Sequence, residues 1–501
     1  MVRYVPCFVS ICIYWITIGN ESDDMKFQEF GLEQNILDAL DVLGYEEALP
    51  VQETVIPLMM AKKDVLVKSK TGSGKTASFA IPVIEDLIWD ERAPQCLVLT
   101  PTRELAIQIK EEFDLIGAYK RIKTMAVFGK SSFRFQEQDL KQRCHVVIGT
   151  PGRILDHLEQ GSLNLSQIRT CVLDEADEML NMGFIDQVKD ITNYFPGNIT
   201  TCLFSATLPE EIKTLASAFQ QDATLVEIES KQEVNELVTH YAYRVKEHEK
   251  KDFLIKLLCK EQPESCIIFA KTQEHVKEVC EALYDLDLSV DKLHGGMMQE
   301  DRIENLNDFK KGLLRILVAT DVASRGIDIQ KVTHIINYDM PNQKETYVHR
   351  IGRSGRVKHK GIAISFVSEY DDRRLEELEE FLKMPLECRD KSEVDTIKVT
   401  NVQLNSLRKL VAIKEDKGKD IRKDTMKLYI GAGKGKKMRA GDIVGAICEI
   451  DGVTADDIGV IKIQDRQSYV DILNGKGDMV MKALQKKTIK GKLVRVNQAQ
   501  D

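Results

Sequence analysis

The feature that most constrains this chain is a recurring unit: a short apolar run of strand character, broken at once by a polar or glycine-rich cluster, then a helical stretch. VLV at 65–67 runs into KSKTGSGKT, LVL at 97–99 into TPTREL, VVI at 146–148 into GTPGR, CVL at 171–173 into DEAD, and CLF at 202–204 into SAT. Strand, loop, helix, repeated, specifies an α/β fold: a parallel, doubly wound sheet with helices on both faces. Ligands of such sheets bind beyond the carboxyl ends of the strands, so all five clusters are expected on one edge. The unit then restarts with CIIF at 266–269, KLH at 292–294, ILV at 316–318 and HIINY at 334–338. Two tandem sheet domains are therefore expected, over 25–230 and 231–385, followed by a charged linker at 386–424 and a small α+β domain at 425–501. A length of 501 residues accommodates about three domains.

Charge is unevenly spread. The last 77 residues hold 14 Lys or Arg against 9 Asp or Glu, whereas the whole chain carries a net −9. A basic tail on an acidic body suits a polyanion partner, or simply a solvated basic face. The eleven cysteines form no CxxC pair, so they read as buried thiols of a reducing, cytoplasmic compartment, not as a disulfide or zinc framework. The apolar run at 4–18 is interrupted by Pro6 and falls short of the roughly 18 residues a membrane span needs. With Arg3 as its one early positive charge and no A-x-A-like site, it is a poor signal peptide. Residues 1–24 are therefore expected to be an over-extended start, with globular patterning beginning at Met25.

SKTGSGKT has the chemistry of a phosphate loop. Gly72 and Gly74 let backbone N–H groups turn inward around phosphate, Lys75 reaches the β and γ phosphates, and the Thr76 hydroxyl is placed to ligate Mg²⁺. Ser69, Lys70, Thr71 and Ser73 complete the loop. The second half of an NTPase site is a metal-holding acid at the end of another strand, which Asp174 supplies, with Glu175 beside it to orient and deprotonate water. In the second repeat, HRIGRSGR carries Arg353 and Arg356 on a glycine-punctuated turn, suited to stabilising charge on a γ-phosphate across a cleft.

With PTRELA, TPGR, DEAD, SAT, SRGID and HRIGRSGR following the phosphate loop in this order, residues 26–380 resemble a DEAD-box RNA helicase. The resemblance implies two RecA-like domains that close together on ATP and single-stranded RNA, bending one strand so that short duplexes come apart. It places adenine recognition on Phe27, by stacking, and on Gln52, whose amide offers both a donor and an acceptor. It places the ribose on Asp328, and coupling of hydrolysis to closure on Asp177, Ser205, Thr207 and His349. RNA-backbone contacts fall on Arg103, Thr150, Gly152, Arg153, Thr272, Gly295, Arg302, Thr320 and Asp321, which suits sequence-indifferent recognition that prefers RNA. The chain departs from the usual pattern at Ala48 and Leu49, where Pro and Ser or Thr are common, and at Gly129-Lys130, where Gly-Gly is common. Ser324 and Ser354 are minor departures.

The tail phrase KKMRAGDIVGAICEIDGVTADDIGVIKI and the NGKG turn at 474–477 resemble the RNA-binding domain of DbpA-type helicases. A βαββαβ, RRM-like order follows, with aromatics on the sheet limited to Tyr429 and Tyr469. The resemblance implies anchoring on 23S ribosomal RNA near the peptidyl transferase centre, on pre-50S particles. Lys434, Lys436, Lys437 and Arg439 are the candidate phosphate contacts. The expected protein is a monomeric RNA-dependent ATPase without membrane attachment. An ATP-gated RNA clamp and a general messenger-RNA helicase stay open as alternatives at this point.

Overall fold

The computed structural model describes residues 14–18, 25–69, 72–197, 199–228, 238–321, 332–354, 360–409, 425–464 and 466–499. The first sheet takes strands β1 (Tyr14–Ile18), β2 (Val65–Lys68), β3 (Cys96–Leu99), β4 (Thr124–Val127), β5 (Val146–Gly149), β6 (Thr170–Leu173), β7 (Thr200–Ser205) and β8 (Thr224–Ile228). Their order is β1-β8-β2-β7-β6-β3-β5-β4, with every pairing parallel. Strands covered by helices on both faces should be apolar throughout, and β3, β5, β6 and β7 are buried at every position. Register brings the strand ends level: Lys68 pairs with Ser205, Leu173 with Leu203 and Leu99, and Leu99 with Gly149. The five polar clusters thus emerge along one edge, as the repeat requires. Residues 14–18, within the segment expected to be an over-extended start, pair with β8 at the far edge of the sheet.

The second sheet holds β9 (Val238–Arg244), β10 (Cys266–Phe269), β11 (Val290–Leu293), β12 (Ile316–Ala319), β13 (His334–Asn337), β14 (Gly361–Val367) and β15 (Glu387–Arg389) in the order β11-β12-β10-β13-β14-β9-β15. All are parallel again. Here the structure corrects the linker expected at 386–424. β15 extends the sheet beside β9, and the helices Ser392–Asp395 and Asn401–Arg408 bury Val394, Leu404 and Leu407 in the second core. Buried Arg315 fastens this segment, donating to the carbonyls of Ser406 at 2.6 Å and Leu407 at 3.2 Å, where a helix end leaves acceptors unfilled. Three buried apolar residues among so many charges are too few to announce a helix by periodicity.

The tail forms an antiparallel sheet of β16 (Met426–Ile430), β17 (Ile458–Ile463), β18 (Ser468–Ile472) and β21 (Val496–Gln498), ordered β17-β18-β16-β21, beside a hairpin of β19 (Thr488–Ile489) and β20 (Lys492–Leu493). Helices Ala440–Cys448 and Gly477–Leu484 close its core through Ile443, Ile447, Val480 and Leu484. The tail contacts the first domain: Lys123 Nζ donates to the Ile461 carbonyl at 2.7 Å, and Lys462 pairs with Asp139 at 2.7 Å. Among described cysteines seven are buried, while Cys388 and Cys448 are exposed, which corrects the expectation of uniformly buried thiols. No helix among the described residues is long and apolar enough to cross a membrane.

Candidate nucleotide and RNA sites

The nucleotide site is built where β2 meets the helix Lys75–Asp86. Gly72 and Gly74 have φ of 83° and 90°, the left-handed backbone that glycine adopts without a Cβ penalty. Gly74 is doubly constrained, because a Cβ there would lie 2.7 Å from both Gln52 Nε2 and Leu49 Cδ1. Lys75 is buried with its Nζ 3.4 Å from the Ser69 carbonyl, and Ser73 Oγ donates to Ser69 Oγ at 3.3 Å. Lys70 and Thr71 lie outside the described residues.

Gln52, 2% exposed, is locked into this loop. Its Nε2 donates to the Gly74 carbonyl at 3.3 Å, and its Oε1 accepts from the Leu49 N–H at 2.8 Å. One N–H and one lone pair remain, the number an adenine edge uses. Leu49, where a hydroxyl residue is common, gives up a side-chain cap yet keeps its backbone tied to Gln52. In the described structure Phe27 is a core residue, 1% exposed, with Phe30 tilted and Tyr45 edge-on to it at centroid distances of 5.9 Å. Aromatic spacing alone does not separate a core ring from a stacking platform.

Asp174 follows β6 at the same edge, and its Oδ1 accepts from the Glu175 N–H at 3.0 Å. Glu175 adopts φ 55°, ψ 53°, a strained backbone for a residue with a Cβ, of the kind that collects at functional sites. Burial is the main cause that raises both carboxyls, Glu175 to about 7, with the neighbouring Asp174 charge adding to it; Lys75 opposes both shifts, and Arg353 opposes that of Glu175. Two acids and cations from both domains therefore sense one another across a single cleft. Asp177 Oδ2 accepts from the N–H groups of Ala206 and Thr207 and from the Thr207 hydroxyl at 2.9–3.2 Å, while Ser205 Oγ accepts from the Asp177 N–H at 3.3 Å. Glu178 reaches across to His349 Nδ1 at 3.3 Å. Arg353 is buried, whereas Arg356, Asp328 and Ser324 lie outside the described residues.

A second set of residues spans the cleft farther along. Arg103, which opens the helix Arg103–Ile116, donates to Gln299 Oε1 at 3.0 Å; Gln299 Nε2 donates to Glu104 Oε1 at 2.9 Å; Arg302 pairs with that same oxygen at 3.0 Å. The two arginines are thus joined through Glu104 and Gln299, neither of which the sequence reading had chosen. Arg153, behind the cap Thr150 and Gly152, donates to the Ser131 carbonyl at 3.0 Å and to Gln136 Oε1 at 3.1 Å. Gln136 Oε1 also sits 3.1 Å from Nε2 of His157, which burial pushes down to about 4, so the neutral ring supplies the N–H.

In the second domain Thr272 caps the helix Gln273–Tyr284, accepting from the His275 N–H at 3.2 Å. Its loop is held by Asp339, which accepts from the Lys271 N–H and from His275 Nδ1, each at 2.9 Å. Glu247, His275 and Asp339 cluster like metal ligands, but the Lys250 ammonium already sits 2.8 Å from Glu247 and 2.9 Å from Asp339. Gly295 and Thr320 follow β11 and β12, at the carboxyl ends of these strands. Asp321 is gripped bidentately by Arg350 at 2.5 and 2.8 Å, which commits both of its carboxylate oxygens to the guanidinium.

On the tail, Lys434, Lys436, Lys437 and Arg439 are all exposed on a loop pinned by buried Met438. Tyr429 and Tyr469 pair edge-on at 5.9 Å on the sheet. Asp457, held below the usual carboxylate range by Asn474 and Lys476, fastens the NGKG turn.

Comparison with known proteins agrees with this assembly. Residues 49–215 match the DEAD/DEAH box helicase family, 249–358 the helicase conserved C-terminal domain, and 427–498 the DbpA RNA binding domain. The chain is 50% identical over 474 residues to the ATP-dependent RNA helicase DbpA of Bacillus subtilis, covering 94% of this chain and 99% of that one. It is 43% identical over 361 residues to the helicase CshA of Geobacillus kaustophilus, covering 72% and 77%. Among solved structures it is similar to S. cerevisiae Dbp5 bound to RNA and ADP BeF3, with a TM-score of 0.69 and 28% identity over 77% of this chain and all of that one. Mss116 bound to ssRNA and UDP-BeF gives 0.69 and 27%, covering 82% and 86%. With a phosphate loop facing an acid tetrad, a cleft closed by a second RecA-like domain and a folded RNA-binding tail, this chain belongs to the DEAD-box ATP-dependent RNA helicases of the DbpA type.

Proposed function

We propose that this helicase remodels 23S ribosomal RNA near the peptidyl transferase centre, in the cytoplasm and as a monomer, during assembly of the large subunit on pre-50S particles. The observation that carries the reading is the tail: a folded domain, matched to the DbpA RNA-binding family, that presents four exposed cations on one pinned loop. In this reading residues 25–230 and 231–385 do the chemistry and 425–501 choose the RNA. Lys75 neutralises the β and γ phosphates, and Arg353 and Arg356 stabilise charge on the γ-phosphate. Thr76 and Asp174 offer the hard oxygens Mg²⁺ takes, and the buried Asp174 carboxyl suits a cation; bound there, the ion would offset phosphate charge. Glu175 orients the attacking water and receives its proton. Asp177, Ser205, Thr207 and His349 relay the state of the phosphates to closure, while Arg103, Thr150, Gly152, Arg153, Thr272, Gly295, Arg302 and Thr320 hold the RNA backbone.

Steady-state ATPase of residues 25–501 tests the target, measured without RNA, with generic single-stranded RNA, and with a large-subunit fragment containing the peptidyl transferase hairpins. Selective stimulation by the fragment, lost on deleting 425–501 while generic stimulation persists, is expected. Equal stimulation by any RNA would overturn the target assignment.

A further inference from the structure

Gln136 is a buried amide whose orientation is fixed from both ends. It stands on the helix Phe133–Leu140, 5% exposed, and its Nε2 donates to the Phe128 carbonyl at 3.0 Å. A carbonyl can only accept, so the amide nitrogen faces Phe128 and Oε1 faces the other way. There Oε1 meets two N–H groups of the helix Pro151–Glu159, those of Arg153 Nη1 and His157 Nε2, each at 3.1 Å. His157 is fully buried, its ring stacked on Phe133 at a centroid distance of 4.0 Å and its Nδ1 2.7 Å from Ser162 Oγ, so the ring cannot turn away and release the amide.

The consequence falls on Arg153. The Ser131 carbonyl accepts from the same Nη1 at 3.0 Å, Asp156 Oδ2 lies 3.3 Å from Nε, and the guanidinium carbon stands 5.7 Å from the centroid of the Phe133 ring. Nη2 has no hydrogen-bond partner among the described residues, and unlike Nε it is not sealed from solvent. An arginine that only braced two helices would commit both ends of its fork to protein acceptors. This one commits a single end, and Gln136 supplies one of the two acceptors that hold it.

We propose that Gln136 is the positioning residue for Arg153: it fixes the guanidinium before RNA arrives, so that Nη2 meets a backbone phosphate without the side chain having to be ordered on binding. The inference rests on the reading that Arg153 holds the RNA backbone. Gln136 itself does not touch RNA; it acts through Arg153 alone.

The test is a double-mutant cycle on the full chain, reading ATPase rate against the concentration of single-stranded oligouridine, alongside melting temperature. Gln136→Asn keeps the amide but is one methylene too short to span Phe128 and Arg153; Gln136→Met keeps the length and removes the acceptor. Each should raise the RNA concentration for half-maximal stimulation about five-fold, the ordering cost of one long side chain, while the maximal rate at saturating RNA stays within about two-fold. Arg153→Gln should raise it at least as much. Adding either Gln136 substitution to Arg153→Gln should then change nothing further, because the side chain acted upon is gone. A loss that simply adds to that of Arg153→Gln would overturn the proposal, as would an unmoved half-saturation in the two Gln136 variants. Should Gln136→Met melt too low to assay, Gln136→Asn, which leaves no apolar group against the buried donors, decides alone. If Arg153→Gln also leaves half-saturation unmoved, the arginine does not hold RNA and the underlying reading fails; if Arg153→Gln alone weakens binding, only the positioning role fails.

Discussion

Glu104→Ala should disable closure without unfolding either domain. The Glu104 carboxylate is 4% exposed and accepts from Gln299 Nε2 at 2.9 Å and Arg302 Nη2 at 3.0 Å, both from the opposite domain. Breaking a buried, hydrogen-bonded ion pair from one side costs about 3–5 kcal/mol. The Arg302 side chain keeps 13% exposure, which favours the lower end. About 3 kcal/mol, applied to the closed state alone because the open domains rehydrate both partners, is roughly a hundred-fold in the closure equilibrium. Titrating RNA against ATPase rate reads it directly. The RNA concentration for half-maximal stimulation should rise by that factor, with Glu104→Gln intermediate since an amide oxygen still accepts from Gln299. Glu104 stands in the first turn of its helix, so its loss costs the first domain only about 0.5 kcal/mol, a melting shift of about 2 °C or less. A half-saturation within three-fold of the unsubstituted protein would refute the argument, as would a collapse in melting temperature.

Three other outcomes are expected. Glu175→Gln should retain ATP and RNA binding while turnover falls by about 10²–10⁴, and an active variant removes Glu175 from its assigned role. Gly74→Ala should lose nucleotide binding, since the new Cβ meets Gln52 Nε2 at 2.7 Å on a φ of 90°; calorimetry with an ATP analogue reads it, and near-normal affinity would contradict the geometry. His334, which burial pushes down to about 4, binds its proton later in the folded chain than in the unfolded one, so stability falls as pH drops from about 6.5 towards 4. Between pH 7 and 5 this is about 2 kcal/mol, which His334→Asn should remove from the second domain's denaturation profile; an identical pH slope in the variant would exclude His334 as its source.

Much of the site was legible because its residues follow buried strands directly. A parallel sheet fixes where strand ends go, so five clusters scattered over 140 residues had to meet on one edge, and they do. Illegible were residues whose role depends on a partner far along the chain. Glu104 and Gln299 are 195 positions apart, and Gln136 reaches His157 and Arg153 over 21 and 17. Nothing in their local sequence separates them from solvated polar side chains. Phe27 shows the opposite case: the motif points to adenine, while packing with Phe30 and Tyr45 makes the ring a core residue in the described structure. The stretch 387–408 was misread because charge masks three buried apolar anchors.

The contacts described across the cleft explain why such an enzyme needs two ligands. They are polar: His349 with Glu178, Arg103 with Gln299, and Glu104 with Gln299 and Arg302. Each replaces hydration that both partners enjoy when the domains part, so each contributes only about 1 kcal/mol net, a little more where charge is buried. Against this stands the lost freedom of one domain relative to the other, a cost of several kcal/mol even when a tether spares part of it. Closure without ligands is therefore close to balanced, which is the condition under which a ligand contacting both domains decides the outcome. ATP does so if Lys75 and Arg353 share its phosphates, and RNA if Arg153 and Thr320 share its backbone. Each then lowers the closing cost left for the other, and linkage requires the two effects to be equal: the factor by which RNA tightens ATP is the factor by which ATP tightens RNA. A cleft sealed by buried apolar surface would stay shut and lose that coupling. The polar seam keeps the chain a switch.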